Sequence, residues 1–520
     1  MHEIELKFQV SRERRSAVDA AVAGRTPQPR IRLQAAYVDT PERLLAQAGL
    51  ALRVRREGRQ WVQTIKGASD DGMTRLEHNV PLGVGVGVGA GTVAPDADPA
   101  LHAGTPAGDK LLALLDEHPG TVLSVLFGTN ILRRTRVQRV ATLGTVELAF
   151  DEGSILAGDA RTGVCELEIE LLGGSPMAVI ETARRWLPRY GLWLDTRSKA
   201  ERGDMLARGM VMADARNAAP VTLERELSDR QGWLRVMRVC AEQISVNASQ
   251  VASGVHGDDH VHQLRIGLRR LRTAMSLFNF VTIDPALGTG AATLFRRLGG
   301  ARDQVVIEGE FAADLVAALQ VAGVPGDAPV AAFEAAADSA EAAVRDAASQ
   351  VFLLDLLAAF HVIDEADRKT DTDTDTDTDA DADADADAAV PLRAAVAKRL
   401  SRWHRRAAAD AKRYAELDDE GRHRLRKHIK RLRYAVEFTG TLFGHQAVKR
   451  YLKPLRALQE RLGAINDVVV AMNAFRAARD TDPRAWFALG WLAGRREVLI
   501  RAARPELRAF AKSDGFWKKG

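Results

Sequence analysis

Charged and apolar residues alternate strictly through Glu3-Ile4-Glu5-Leu6-Lys7-Phe8. Side chains on a strand point to opposite faces with period two, so Glu3, Glu5 and Lys7 share one face and Ile4, Leu6 and Phe8 the other. One such strand by itself reads as half-buried, with its charged face in water. The pattern recurs, however. Glu166-Leu167-Glu168-Ile169-Glu170-Leu171 alternates in the same way, Ala51-Leu52-Arg53-Val54-Arg55 puts two guanidinium groups on one face, and Glu147 and Asp151 flank Ala149 on another. Solvent alone explains such repetition poorly, whereas a face of this kind can hold a metal ion and an anion together.

The rest of the first two hundred residues continues the short-period pattern. Ser11 is the predicted N-cap of an Ala-rich helix that stops at Gly24, and Ala36-Tyr37-Val38-Asp39-Thr40 follows with a turn at Pro41. Strands over 50–56 and 60–66 are joined by a tight turn at Glu57-Gly58, and a strand over 74–80 carries Arg75, Glu77 and Asn79 on one face. Residues 83–107, rich in Gly, Ala and Pro, form a surface loop; they lack the Gly-Lys-Ser/Thr step or GxGxxG turn of a phosphate-binding loop. A helix over 110–117, three strands over 127–138, 145–151 and 161–171, and a helix over 176–190 complete the segment. Many antiparallel strands with charges on one face predict a closed barrel with a wet, charged lumen and an apolar outer face packed on helices. Unpaired buried charge is too costly for any dry alternative.

From residue 220 the period changes to 3.6. His262-Gln263-Leu264-Arg265-Ile266-Gly267-Leu268-Arg269-Arg270-Leu271-Arg272 returns as His423-Arg424-Leu425-Arg426-Lys427-His428-Ile429-Lys430-Arg431-Leu432-Arg433. A second echo follows each copy, Leu298-Gly299-Gly300-Ala301-Arg302-Asp303 against Leu462-Gly463-Ala464-Ile465-Asn466-Asp467, which predicts two related helical bundles. In each copy His262, Arg265, Arg269 and Arg272, and likewise His423, Arg426, Lys430 and Arg433, share one helix face. A plain exposed basic face is the simpler reading of either copy; duplication of the whole stripe argues for a binding role. Asp303 and Asp467 are expected to be structural.

Composition changes this picture in three respects. A chain of 520 residues needs at least two cores, and 46% hydrophobic with 27% charged residues is ordinary for a globular protein. No charge-free apolar run of about 20 residues exists and the first residues lack a signal-peptide core, so a cytoplasmic protein without a membrane span is expected. Cys165 and Cys240 belong to no CxxC or Cys/His cluster and are expected to be reduced core residues. The net charge of +4 includes nine aspartates at the odd positions 371–387, without which the balance would be +13. Such a basic body calls for a polyanionic partner, and the acidic insert, about 366–390, is expected to be disordered.

Hard divalent cations bind a few carboxylates together with substrate phosphates. Glu3 with Glu5, and Glu168 with Glu170, lie roughly 7 Å apart along a strand face, so one metal fits between pairs that oppose each other across a lumen. Lys7, Arg53, Arg55, Lys66, Arg75, Arg134, Arg136 and Lys199 would then grip phosphate oxygens, Arg bidentately and Lys as a point charge. The opening Glu3-Ile4-Glu5-Leu6-Lys7, together with Tyr37-Val38-Asp39-Thr40, Leu52-Arg53-Val54-Arg55, Thr64-Ile65-Lys66-Gly67, the run 166–171 and Ser198-Lys199, resembles the CYTH, or triphosphate tunnel metalloenzyme, family over about residues 1–202. The resemblance implies an eight-stranded antiparallel tunnel that hydrolyses or cyclises triphosphates with Mg²⁺ or Mn²⁺. It implies Glu3, Glu5, Glu168 and Glu170 as metal ligands and Lys7, Arg53, Arg55, Lys66 and Lys199 as phosphate-holding groups, with Glu5, Lys7, Lys66 and Lys199 at the chemistry. Arg75, Glu77, Arg134, Arg136, Glu147 and Asp151 are added by strand alternation alone, Glu77, Glu147 and Asp151 as further metal ligands. After a linker over 203–225, residues 226–515 resemble the CHAD domain, a helical module associated with inorganic polyphosphate. The chain is therefore expected to be an α+β two-domain protein that hydrolyses inorganic triphosphate to pyrophosphate and phosphate and binds polyphosphate through its helical half. Adenylate cyclase or thiamine triphosphatase activity, or a non-catalytic polyphosphate- or nucleic-acid-binding scaffold, are the alternatives; a narrow groove disfavours duplex nucleic acid.

Overall fold

The computed structural model describes residues 2–68, 73–84, 94–279, 281, 284–299, 311–324, 329, 338–372 and 391–518. They form two compact units. One comprises Met1–Arg216 with Ser245–His260 and Val344–Asp375, the other Asn217–Ile244, Val261–Ala343 and Thr376–Gly520.

The first unit holds the barrel. Its strands are β1 (His2–Gln9), β2 (Ile31–Asp39), β3 (Leu50–Glu57), β4 (Gln60–Ala68), β5 (Thr74–Val84), β6 (Ser124–Val140), β7 (Gly144–Ala157) and β8 (Ala160–Gly174). They run β5-β4-β3-β2-β6-β7-β8-β1, all neighbours antiparallel, and β1 closes on β5 through Glu3 opposite Arg75. The second half of β1 pairs on that edge with a two-residue strand, β9 (Trp193–Leu194), so β9 takes over where β5 leaves off. The tight turn between β3 and β4 needs Gly58, whose φ is +62°.

Apolar residues on the outer face form the conventional core. Leu6, Phe8, Leu148, Phe150, Leu167 and Ile169 are buried, and α4 (Met177–Tyr190) packs over β1, β7 and β8. On the opposite side α2 (Leu44–Gln47) and α3 (Pro106–Asp116) cover Leu50, Leu52 and Ile65. Helix α1 starts at Arg15 and runs to Ala23. Ser11 is not its cap: the Ser11 carbonyl instead accepts from Arg14 and Arg15 N–H in a preceding turn. One part of the lumen wall departs from the charged pattern. Leu33, Tyr37, Phe127, Ile131, Ile155 and Val164 share the inner face by register and form a buried cluster with Ala200 and Leu206 of α5 (Lys199–Ala207). Helix α5 comes so close that a Cβ on Gly203 would lie 2.1 Å from the Phe127 ring. This part of the lumen wall is thus apolar and packed on α5, beside the charged groups that line the rest.

The other described helices are α6 (Asp229–Ala252), α7 (Asp258–Leu277), α8 (Pro285–Arg297), α9 (Ala312–Val321), α10 (Ala340–Arg345), α11 (Ala347–Thr372), α12 (Leu392–Lys412), α13 (Asp419–Thr439), α14 (His445–Ala478) and α15 (Ala485–Lys512). In the second unit α9, α14 and α15 share a core of Phe311, Leu315, Val468, Phe475, Ala488 and Leu492. The two basic stripes fall on α7 and α13. Of the downstream echoes, 462–467 lies within α14 and 300–303 outside the described residues. Helix α11 reaches Thr372, into the span expected to be disordered; the rest of that span, 373–390, and the glycine run from Gly85 onward lie outside the described residues. Among the described residues no helix is long and apolar enough to cross a membrane. Both cysteines are free thiols, each pushed up to about 11 chiefly by burial, which leaves them unreactive.

Candidate active site

Pairing register decides which charges meet inside the barrel. Glu5 lies opposite Glu170 and Lys7 opposite Glu168, while β7 places Glu147 against Glu170 and β4 places Lys66 against Glu77. The result is a cavity of about 540 Å³ lined by seven carboxylates and seven Lys or Arg side chains. Every expected tunnel residue lines it except two: Glu3, Glu5, Lys7, Arg53, Arg55, Lys66, Arg75, Glu77, Glu147, Asp151, Glu168, Glu170 and Lys199 are all present.

Arg134 and Arg136 are the exceptions. Arg134 Nε donates to Asp19 on α1 at 2.8 Å and its Nη1 to the Gln28 carbonyl at 3.1 Å. Arg136 donates to Gln138 and lies against Gly24 at the end of α1. Both clamp α1 to the outer wall. The inward basic residue of β6 is Arg133, directly opposite Asp151. Arg133-Arg134-Thr135-Arg136 carries basic groups at both parities, so alternation alone does not tell the faces apart.

The charges sort into two networks. In one, Lys66 Nζ lies 2.6 Å from Glu3 and 2.7 Å from Glu77, and Glu5 lies 2.8 Å from Lys7 and 3.4 Å from Arg75. In the other, Lys199 Nζ donates to Asp151 (2.7 Å), Glu168 (2.9 Å) and Glu166, Arg133 bridges Asp151 and Glu168, and Arg202 reaches Glu166 at 2.9 Å. Arg133, Glu166, Arg202 and the lumen phenol of Tyr37 were missed by sequence reasoning. Glu166 shares the parity of Glu168 and Glu170, and Arg202 stands one helical turn after Lys199, so a signal existed for both.

These contacts set the proton affinities. Burial opposes charge on Glu5, yet Lys7, Lys66 and Arg75 together hold it down at about 2. Burial likewise opposes charge on Glu168, but Lys199, Arg133 and Lys7 keep it well below the carboxylate range. Glu170 goes the other way, to about 7, chiefly through burial and the neighbouring Glu5. Burial and its bond with Glu77 push Glu3 up to about 8, and burial also raises Glu147.

Two carboxylate groups of the lumen bear on a cation site. Asp151, Glu166 and Glu168 offer oxygens within 4.8 Å of one another, but Lys199, Arg133 and Arg202 already neutralise them. Glu5, Glu170 and Glu147 form a row across β1, β8 and β7. Like charges directly opposite each other destabilise a sheet, and the buried Glu5 Oε1, although near Lys7, is in no hydrogen bond. The row supplies hard oxygen donors of the kind a divalent cation takes, without the close mutual approach of the first group. Beyond it lie the Nε groups of Arg53 and Arg55, buried and without a hydrogen-bond partner. Burial resists charge on Arg53, but Tyr37, 3.4 Å away, and Glu77 push it above its ordinary range.

A second cavity of about 420 Å³ shares Tyr37, Ala51, Lys66, Arg75, Ser198 and Ala200 with the lumen. In the helical unit, Arg265 and Arg269 of α7 stack on Phe295 at 4.8 and 5.6 Å. Arg270 lies over Phe438 of α13 at 4.7 Å, so the two striped helices pack together. Lys430 is pushed down to about 6 by burial, with Arg269 from α7 and Arg426 from its own helix adding to the effect. His423 Nδ1 donates to Asn466 Oδ1 (2.7 Å), and Arg433 is held by Glu437 at 3.1 Å. His262 lies on the same face of α7, and Arg272 stands beside Arg431.

Residues 1–203 match the CYTH domain model and residues 235–476 the CHAD domain model. An inorganic triphosphatase from Haemophilus influenzae is 26% identical over 183 residues, which cover 34% of this chain and 47% of that protein. The chain thus spans about half the length of this curated relative. Among solved structures, the CHAD domain from the plant Ricinus communis is 26% identical over 57% of this chain and 97% of that chain, with a TM-score of 0.39. HpAC1 from Hippeastrum, an adenylyl cyclase candidate with a dominant triphosphatase activity, is 17% identical over 40% of this chain and 97% of that chain, with a TM-score of 0.27. The charged closed barrel thus lies in the part matched by one model and the striped helices in the part matched by the other, a CYTH domain followed by a CHAD domain.

Proposed function

We propose that the barrel hydrolyses inorganic triphosphate to pyrophosphate and phosphate with Mg²⁺ or Mn²⁺, and that the paired stripes on α7 and α13 bind inorganic polyphosphate. The observation that carries the first part is the juxtaposition, in one closed lumen, of a carboxylate row suited to a cation with Arg53 and Arg55, whose buried Nε donors have no hydrogen-bond partner. Glu5, Glu170 and Glu147 would hold the cation, with Glu3 and Glu168 beside them. A cation bound there supplies charge neutralisation on the phosphate oxygens. Arg53 and Arg55 grip the chain bidentately, while Lys7, Lys66, Arg75 and Lys199 exchange their carboxylate partners for phosphate and fix the chain in line for attack by water. Burial raises both Glu3 and Glu170, and each carboxyl that keeps its proton leaves the seven basic lumen groups in excess, which favours a polyanion.

For the helical unit, the proximity of Arg269 on α7 to Lys430 on α13, beside Arg426, supports a shared cationic face for a phosphate chain. An organic triphosphate is the second reading, favoured by the 420 Å³ cavity adjoining the lumen, which has room for a ring. Purified full-length protein assayed with tripolyphosphate, ATP and thiamine triphosphate in parallel decides. Preference for tripolyphosphate supports the first reading and preference for either ester the second; binding without turnover of any of them would make the barrel a non-catalytic scaffold.

A further inference from the structure

Lys199 reaches the lumen at the end of an extended run, residues 194–197, whose backbone is held from both edges. One edge belongs to the barrel: Leu194 pairs with Phe8, and Asp195 N–H donates to the Lys7 carbonyl at 2.9 Å. Among the described residues no strand continues the sheet on the other edge. Leu194 N–H donates instead to Gln350 Oε1 at 2.7 Å, and Thr196 N–H to Ser249 Oγ at 3.0 Å. Successive N–H groups of an extended chain point to alternate edges, so side chains from α11 and α6 occupy the two places where a neighbouring strand would supply carbonyls.

Both acceptors are themselves fixed. Gln350 is fully buried and its Nε2 donates to the Val344 carbonyl at 2.8 Å; Ser249 is 1% exposed and its hydroxyl donates to the Ser245 carbonyl at 2.8 Å. Arg197 adds a third tie, with two 2.8 Å bonds to Asp195 and one of 3.2 Å to Gln250. Three residues beyond Thr196, within the Ser198–Glu201 capping box, Lys199 Nζ closes on Asp151, Glu166 and Glu168.

We infer that Ser249 and Gln350 are positioning residues for the triphosphate site: by completing the hydrogen-bond ladder of residues 194–196 they fix where Lys199 enters the lumen. A helical side chain thus acts on the reaction without touching substrate. A misplacement of about 1 Å is enough to cost on the order of a hundredfold in an aligned site. The inference rests on the proposed triphosphate site, but its test is separable from it.

In the full-length protein, Ser249→Ala and Gln350→Leu remove an acceptor, whereas Ser249→Thr keeps the hydroxyl. Tripolyphosphate affinity, read by calorimetry, should fall about tenfold in Ser249→Ala and stay within about twofold of wild type in Ser249→Thr. On a Lys199→Met background Ser249→Ala should add less than about twofold, since coupled residues are non-additive. Competitive acylation should label Lys199 several-fold faster in Ser249→Ala and Gln350→Leu, with Lys66 unchanged, and this readout needs no substrate. Equal losses in both backgrounds, or unchanged labelling of Lys199, overturn the inference. A wild type that does not bind or turn over tripolyphosphate overturns the proposed function alone, and the labelling result still decides this point. Ser249→Ala, the milder variant, carries the test if Gln350→Leu does not fold.

Discussion

Glu170→Gln should make the metal-free barrel more stable while weakening the site. Glu170 sits between Glu5 and Glu147 with burial as its main perturbation, which lifts it from 4.5 to about 7. A carboxyl whose folded pKa is raised favours the unfolded state as pH rises. The penalty is absent below 4.5, grows between 4.5 and about 7, and is complete above that, where both states are ionised. At 1.36 kcal/mol per pH unit the full penalty is roughly 3 kcal/mol, and partial exposure of the side chain reduces it to about 1–2 kcal/mol. Glutamine keeps the volume and removes the charge. In EDTA at pH 8 the variant barrel should therefore gain about 1–2 kcal/mol over wild type, and at pH 4.5 little or nothing. Urea unfolding followed by hydrogen exchange in β1, β7 and β8 peptides isolates the barrel from the helical unit, because the two need not unfold together. With Mg²⁺ or Mn²⁺ added the order should reverse, since wild type gains a ligand-binding term that the variant has lost. Equal stability of the two proteins at pH 8, or a gain of the same size at pH 4.5, would refute the idea that Glu170 is a strained carboxyl awaiting a cation.

Glu5→Gln and Glu168→Gln should each abolish tripolyphosphate hydrolysis with the fold intact by circular dichroism, and near-normal rates at saturating metal in both would sink the ligand assignment. Arg133→Ala and Arg134→Ala test which face of β6 is inward: the first should lower kcat/KM about a hundredfold, and the second should cost about 1–2 kcal/mol of stability through α1 while leaving kcat/KM within twofold. For the helical unit, replacing Arg265, Arg269, Arg426 and Lys430 by Ala should weaken long-chain polyphosphate binding far more than replacing Arg495, Arg496, Arg501 and Arg504, with a smaller salt dependence; equal losses would leave only a generic cationic surface. Because Lys430 is held down at about 6, a bound polyanion that restores its charge should draw a proton from solution. Binding near pH 7.5 should take up close to one proton, measured by calorimetry in buffers of different ionisation enthalpy, and affinity should fall as pH rises above 6; no uptake would mean that Lys430 stays outside the contact.

The architecture and most of the lumen follow from local pattern along the chain. Period-two alternation depends only on the strand backbone, so Glu3, Glu5 and Lys7, or Glu168 and Glu170, share a face whatever surrounds them, and the change to period 3.6 marks the helical half for the same reason. Where both parities carry charge, as in Arg133-Arg134-Thr135-Arg136, alternation is silent, and only the pairing of Arg133 with Asp151 decided which guanidinium faces inward. Ion pairing was also beyond the sequence. That Lys199, Arg133 and Arg202 neutralise Asp151, Glu166 and Glu168, while Glu5, Glu170 and Glu147 stand together as a row, depends on register between strands far apart in the chain. So does the apolar part of the lumen wall, where α5 presses Gly203 against Phe127. The tie from Ser249 and Gln350 to the run before Lys199 is the extreme case: it spans 53 and 156 residues of sequence, and no local pattern encodes a contact that exists only because an edge strand ran out of neighbours.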